Sequence, residues 1–279
     1  KLMSAGDSSN TIIDGGGVSN VIYINPQTVT IDTTTLIQGF TITNGSSTVG
    51  AGIIFISQGL KLYNNEIKNN IASSNGGGIS LSGASYFEIN NCKISNNTSG
   101  QSWNIGGGGI YSSGSNGKIE NTNLINNSGR YGGCMAFHGC QIELNNLELK
   151  ENIGSHEGGV IYFKQDGGST MNNTILFENV GSGFMTFLGS SPSLSNIKII
   201  QNHGTAIGNN SAGEYACNKI DFININGAPV NGSGSFINCN FISSSNSFIA
   251  NSVNYSNFIE NGTAMINGDI TSFMDAINN

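Results

Sequence analysis

The residues best equipped for chemistry sit near the middle of the chain. Arg130 is the only arginine and stands beside Tyr131, while the only tryptophan, Trp103, lies upstream in the loop 98–105, TSGQSWNI. Aromatic faces beside a guanidinium can stack on a sugar ring or on a partner's surface. Trp103, Arg130 and Tyr131 are therefore the candidate ligand-binding residues. Glu148, Lys150 and Glu151 form the densest charge group; they read either as a paired-carboxylate centre of the kind hydrolases use or as a solvated edge. His138, His156 and His203 fall in separate loops. His138 and His156 can approach across one turn, but no third ligand stands at metal spacing. No metal or cofactor is expected. Five cysteines (Cys92, Cys134, Cys140, Cys217, Cys239) are an odd number without metal-type spacing; Cys134 and Cys140 are close enough to pair, and small core residues are the alternative. Asp14, in IDGGG, reads as a turn residue. No nucleophile–base order is present, and the Gly runs precede strands rather than helices, unlike a phosphate-binding loop. Catalytic residues: none assigned.

What must position these side chains is a repeat. Residues 76–97, GGGISLSGASYFEINNCKISNN, give its pattern: a Gly run, a strand-like stretch and a closing Asn. The closing positions are Asn70, Asn97, Asn127, Asn152, Asn179 and Asn202, then Ser244 and Asn261. Six residues before them stand Asn64, Asn91, Asn121, Asn146, Asn173, Asn196 and Asn238. The spacing between turns drifts while that offset stays fixed, as expected of a rigid segment joined by variable loops. Apolar columns keep the same frame. Eight before the closing position are Leu62, Ile89, Ile119, Leu144, Met171, Leu194, Phe236 and Val253; three before it are Ile67, Ile94, Leu124, Leu149, Leu176, Ile199, Phe241 and Phe258. A third column, Ile53, Ile79, Ile110, Met135 and Ile161, follows the Gly runs.

A repeat of about 25 residues suits a leucine-rich horseshoe or a parallel β-helix. The horseshoe's Leu frame and helical return segments are missing, and the apolar residues are mostly β-branched or aromatic in alternating runs. The sequence thus predicts an all-β fold: a single right-handed parallel β-helix over 1–279. Its turns are about 17–30 residues, with a lead-in at 1–10, regular turns over 11–205 and shorter, less regular turns over 206–279. The last residues, TSFMDAINN, begin either a helix-like cap or another turn. In a β-helix equal positions stack at roughly 4.8 Å, so both Asn columns are expected to form amide ladders. Lys61, Glu88, Lys118 and Glu143 share one column with alternating sign, which favours that register. Glu178 and Glu260 share the position of Glu151; only Glu151 and Glu178 are neighbours there, able to share a proton or a cation or simply exposed.

The paired signature Gly-Gly-x-Ile/Val and Phe-x-x-Asn resembles the repeat of chlamydial-type polymorphic outer-membrane proteins. It is also similar to right-handed parallel β-helix repeats of the pectate-lyase-like superfamily. Here it reads GAGI, GGGI, GGGI, GGCM and GGVI, with second halves IKNN, ISNN, LINN, LKEN, LFEN, IIQN and FIEN over about 50–261. Ile or Leu usually replaces the Phe, and the Gly-Gly half fades after 183. The resemblance implies the fold and a surface role, and supplies no catalytic residue. That superfamily also includes polysaccharide lyases and glycoside hydrolases, which keeps an enzyme as the runner-up.

Composition narrows the partners. Lys and Arg total 10 against 17 Asp and Glu, a net charge of −7, and no basic stripe exists to follow a phosphate backbone. No apolar run reaches the length of a membrane helix. The reading is a non-catalytic extracellular or cell-surface rod, structural or adhesive, or a subunit of a fibre or coat. Its partners would be a surface glycan, a protein or copies of itself end to end. Residue 1 is Lys, so a processed chain or part of a longer one is expected. Asn-x-Ser/Thr triplets suit a glycoprotein but arise by chance at this Asn and Ser content.

Overall fold

The computed structural model describes residues 1–25, 35–56, 59–83, 86–100, 106–156, 158–209, 215–231, 234–243, 252–259 and 270–277. Trp103, Ser244, Glu260 and Asn261 lie outside the described residues. The chain is a parallel β-solenoid without helix. Its rungs form a 17-stranded and an 11-stranded sheet, with a two-stranded piece.

Each turn follows one itinerary, set by residue type. A Gly run opens onto a strand such as Ile79–Ser82, which pairs with Ile53–Ile56 on one side and Ile110–Ser113 on the other. A second strand, Tyr86–Asn90, stacks between Leu60–Tyr63 and the first half of Asn116–Ile125. The chain bends at an outer Asn, runs through a third strand such as Lys93–Ser95, and turns again at the closing Asn. A short fourth strand, such as Ser128–Gly129 or Ile153–Gly154, leads back to the next Gly run. Alternation of side chains along each strand sends Ile and Leu inward and Ser, Asn, Lys and Glu outward.

The core consists of the predicted columns. Ile37, Leu62, Ile89, Ile119, Leu144, Met171 and Leu194 are in register and buried, as are Ile42, Ile67, Ile94, Leu124, Leu149, Leu176 and Ile199. Ile53, Ile79, Ile110, Met135 and Ile161 close it from the glycine-led sheet, and Met185 and Ile207 extend that column. Beside them an aromatic column runs through Phe137, Phe163, Phe187 and Tyr215, with centroids 5.4, 5.6 and 5.2 Å apart.

The chain's second part differs from the frame in one way. Between the rungs of Ile199 and Phe241 lies another, carrying Cys217, Phe222 and buried Ile225. Its closing position is Ile rather than Asn, which hides the rung from a count based on Asn. The register therefore continues past 206. Ile270–Ile277 forms a further strand parallel to Ser252–Ile259, which settles the tail as another turn rather than a helix-like cap. All five cysteines are free and buried, in keeping with small core residues and not a Cys134–Cys140 disulfide.

Candidate functional site: an aromatic surface on the glycine-led sheet

Arg130 and Tyr131 sit where the short fourth strand turns into the Gly run at 132–133. The Arg130 guanidinium lies 5.6 Å from the Tyr131 ring centroid. The next turn brings His156 to the same place: its amide donates to the Arg130 carbonyl at 3.0 Å, and its ring is 4.9 Å from that of Tyr131. Tyr131 also meets Tyr162 at 5.2 Å, Tyr162 meets His138 at 5.8 Å, and His138 meets Tyr111 at 5.4 Å. Five rings thus run unbroken over successive rungs of one outer face. His138 and His156 join this surface from different ends, linked through Tyr162 and Tyr131. Among the described residues no group of three or more His, Cys, Asp or Glu is placed to hold a metal.

Tyr111 and Tyr162 are the members that motif reading misses. Both were legible by alternation, since each directly follows an inward Ile (Ile110, Ile161) and must point outward. Ala136 holds the same outward column between them. A backbone without side chains lies beneath: a Cβ on Gly158 would come within 2.7 Å of Tyr162 Cβ and Cδ2, so the ring rests flat on the Gly run. Burial, with the Lys164 charge beside it, drives the His138 pKa down to about 4. The imidazole is therefore neutral near pH 7, with one nitrogen donating and the other accepting. Burial also raises the Tyr111 hydroxyl pKa.

The acidic candidates are arranged for other work. Glu151 and Glu178 both occupy left-handed corners, φ 56° and 53°, and are exposed; Glu151 pairs with Lys150 at 3.2 Å. Glu148 points outward from the same rung as Glu151. The predicted charge column is in register, Lys61 to Glu88 to Lys118 to Glu143. Only Lys61 and Glu88 bond within it, at 3.3 Å, because Lys118 turns along its own strand to Glu120 at 3.3 Å. Tyr63 donates its hydroxyl to Glu88, which raises the tyrosine pKa to about 12.

A polar groove of about 460 Å³ runs beside Asn64, Asn91 and Asn121, with Glu66 and Lys93 in its wall and Asp7–Ser9 at its rim. Glu66 takes Lys68 at 2.7 Å and Lys93 at 3.1 Å. Partial burial pushes the Glu66 carboxyl up, but these two lysines more than reverse that and leave it below its ordinary value. Glu88 follows the same logic, with Tyr63 and Lys61 outweighing burial. Asp14 behaves as a turn residue: it accepts the Gly16 amide at 2.8 Å and the Asn44 side chain at 2.9 Å.

The two asparagine columns part company. Asn70, Asn97, Asn127, Asn152, Asn179 and Asn202 are fully buried, and each Nδ2 donates to the next Oδ1 at 2.9–3.1 Å. Asn64, Asn91, Asn121, Asn146, Asn173 and Asn196 are exposed, with φ between 49° and 56°. Three of their steps bond amide to amide, Asn91 to Asn64, Asn146 to Asn121 and Asn196 to Asn173. Asn121 and Asn173 instead donate sideways, to Asn90 and Asn145.

Compared with known proteins, the chain matches no family model, no curated protein and no solved structure. Its own rungs and surfaces are the grounds for a functional reading.

Proposed function

We propose that this chain is a non-catalytic, extracellular or cell-surface β-solenoid. It would work as a rigid structural or adhesive rod, or as a subunit of a fibre or coat, built like the right-handed parallel β-helix repeat proteins its motifs resemble. The observation that carries the reading is the buried amide ladder over six closing positions, Asn70 to Asn202. Side-chain bonds from rung to rung, added to the backbone ladder, resist bending and local opening, and a stiff axis is what a rod needs. The carboxylates add support. A glycoside hydrolase needs one carboxyl held protonated near neutral pH, whereas Glu66 and Glu88 are held below their ordinary values by lysines and Tyr63.

The test has two arms. Antibody labelling and protease shaving of intact source cells should reach the protein; full protection until lysis overturns the surface assignment. Incubating purified protein with polygalacturonate, xylan, cellulose and chitin should release neither reducing ends nor unsaturated uronates. Turnover lost on replacing Glu66 or Glu88 would establish the polysaccharide lyase or hydrolase reading instead.

A further inference from the structure

We propose that the surface formed by Tyr111, His138, Tyr162, Tyr131 and His156 is a carbohydrate-binding platform that takes a short run of pyranose rings. The proposal rests on the adhesive reading above and names the class of ligand and the place where it is held. A pyranose has a face of C–H bonds and a rim of hydroxyls. It is matched by aromatic rings that offer a π face with hydrogen-bonding atoms at their edges. Every ring here is Tyr or His, so each carries such an atom.

The rings also leave room. None is stacked face to face with its neighbour: the interplanar angles along the chain of rings are 66°, 63°, 44° and 43°. Four of the five are partly exposed. Tyr111 and Tyr162 are two rungs apart in one outward column, about 10 Å at ordinary strand spacing, and the methyl of Ala136 between them is too small to cover either.

Size favours a sugar over a protein. A stable protein interface uses about 800 Å² and 20–30 residues a side. On this face the outward positions give way to Ser80 and Ser82 in one direction and to Thr186 and Leu188 in the other. The patch is therefore confined to a few rungs, the dimensions of a small-ligand site. The side chains stand on paired strands rather than on a loose loop, so little ordering is needed on binding.

The test is an array of immobilised neutral and acidic oligosaccharides, followed by calorimetry with the soluble form of each retained oligomer. Native protein should retain at least one pyranose oligomer. Tyr131→Ala and, separately, His156→Ala should weaken it at least ten-fold while keeping the circular dichroism spectrum and thermal midpoint. Tyr86→Ala, at an exposed tyrosine on the other sheet, should leave affinity unchanged. Retention of no oligosaccharide overturns the platform, as does equal loss in Tyr86→Ala or full affinity in both patch variants. Each of those results leaves the surface-labelling result untouched, so the rod and its ligand fail separately.

Discussion

Two columns of asparagine run along this solenoid six residues apart in the chain, and they do opposite work. The inner one, Asn70 to Asn202, is wholly buried and fully bonded. Each Nδ2 gives one hydrogen to the next rung's Oδ1 and the other to a carbonyl of an inward residue, Ile42, Ile67, Ile94, Leu124, Leu149 or Leu176. Each Oδ1 from Asn97 onward also takes the preceding Asn backbone amide at 2.7–3.1 Å. The outer column supplies a bend. Its exposed residues adopt the left-handed conformation that Asn tolerates better than most side chains.

Their tolerance of other residues shows the difference. The outer bend accepts Lys219 and Tyr255 at φ 57° and 49°, because what matters there is backbone shape. In the inner column Ile225 replaces Asn one rung after Asn202, and the ladder stops. An amide chain has to be continued at both ends or left out, since a buried half-satisfied network is worse than an apolar core.

The largest expected effect breaks the inner column. Asn127→Ala strips the acceptor from the buried Asn97 amide and side chain, and removes the donors to Asn152 and to the Ile94 carbonyl. With about 1–3 kcal/mol for each buried group left unmade, the loss should be about 3–5 kcal/mol, read as a lower urea midpoint. A smaller one reaches the ladder from behind. A Cβ on Gly109 would lie 2.8 Å from the Cys134 carbonyl oxygen and 3.3 Å from Asn127 Cγ. Gly109→Ala should therefore cost about 1–3 kcal/mol by overpacking. This contact explains why the Gly-Gly and Asn halves of the repeat travel together. The outer column should yield less: Asn121→Ala forces Ala into φ 49° at about 1–2 kcal/mol, and Asn121→Gly should recover most of it.

How much of this was legible follows from where the signal lies. The inward Ile and Leu columns and the charge register could be read because burial restricts residue type at a fixed offset. The two Asn columns looked alike because the sequence shows residue type, not the environment that gives the same side chain two jobs. The rung of Phe222 was hidden by Ile225, since the closing Asn served as the marker. The site was half visible: Arg130 and Tyr131 stood out by rarity and adjacency. Tyr111, Tyr162 and His138 join them only through stacking of residues far apart in sequence.

The smallest effect separates the columns by charge. The inner ladder is neutral and contributes equally across the pH range, whereas Glu66 and Glu88 on the outer faces titrate. Their folded pKa values lie below the ordinary one, so their stabilisation is complete above the unfolded glutamate value of about 4.3. It fades as pH falls through the folded value, where the folded state must take up protons that the unfolded chain has already bound. Stability should be level from pH 7 to about 5 as far as these groups are concerned. Glu66→Gln should make the decline below that shallower, by a modest amount because Lys93 is half exposed and solvent screens the pair. Asn127→Ala should lower the whole curve and leave that acid slope as it was. A ladder variant that changed the slope would mean that the two columns are energetically coupled, and their division of labour would fail.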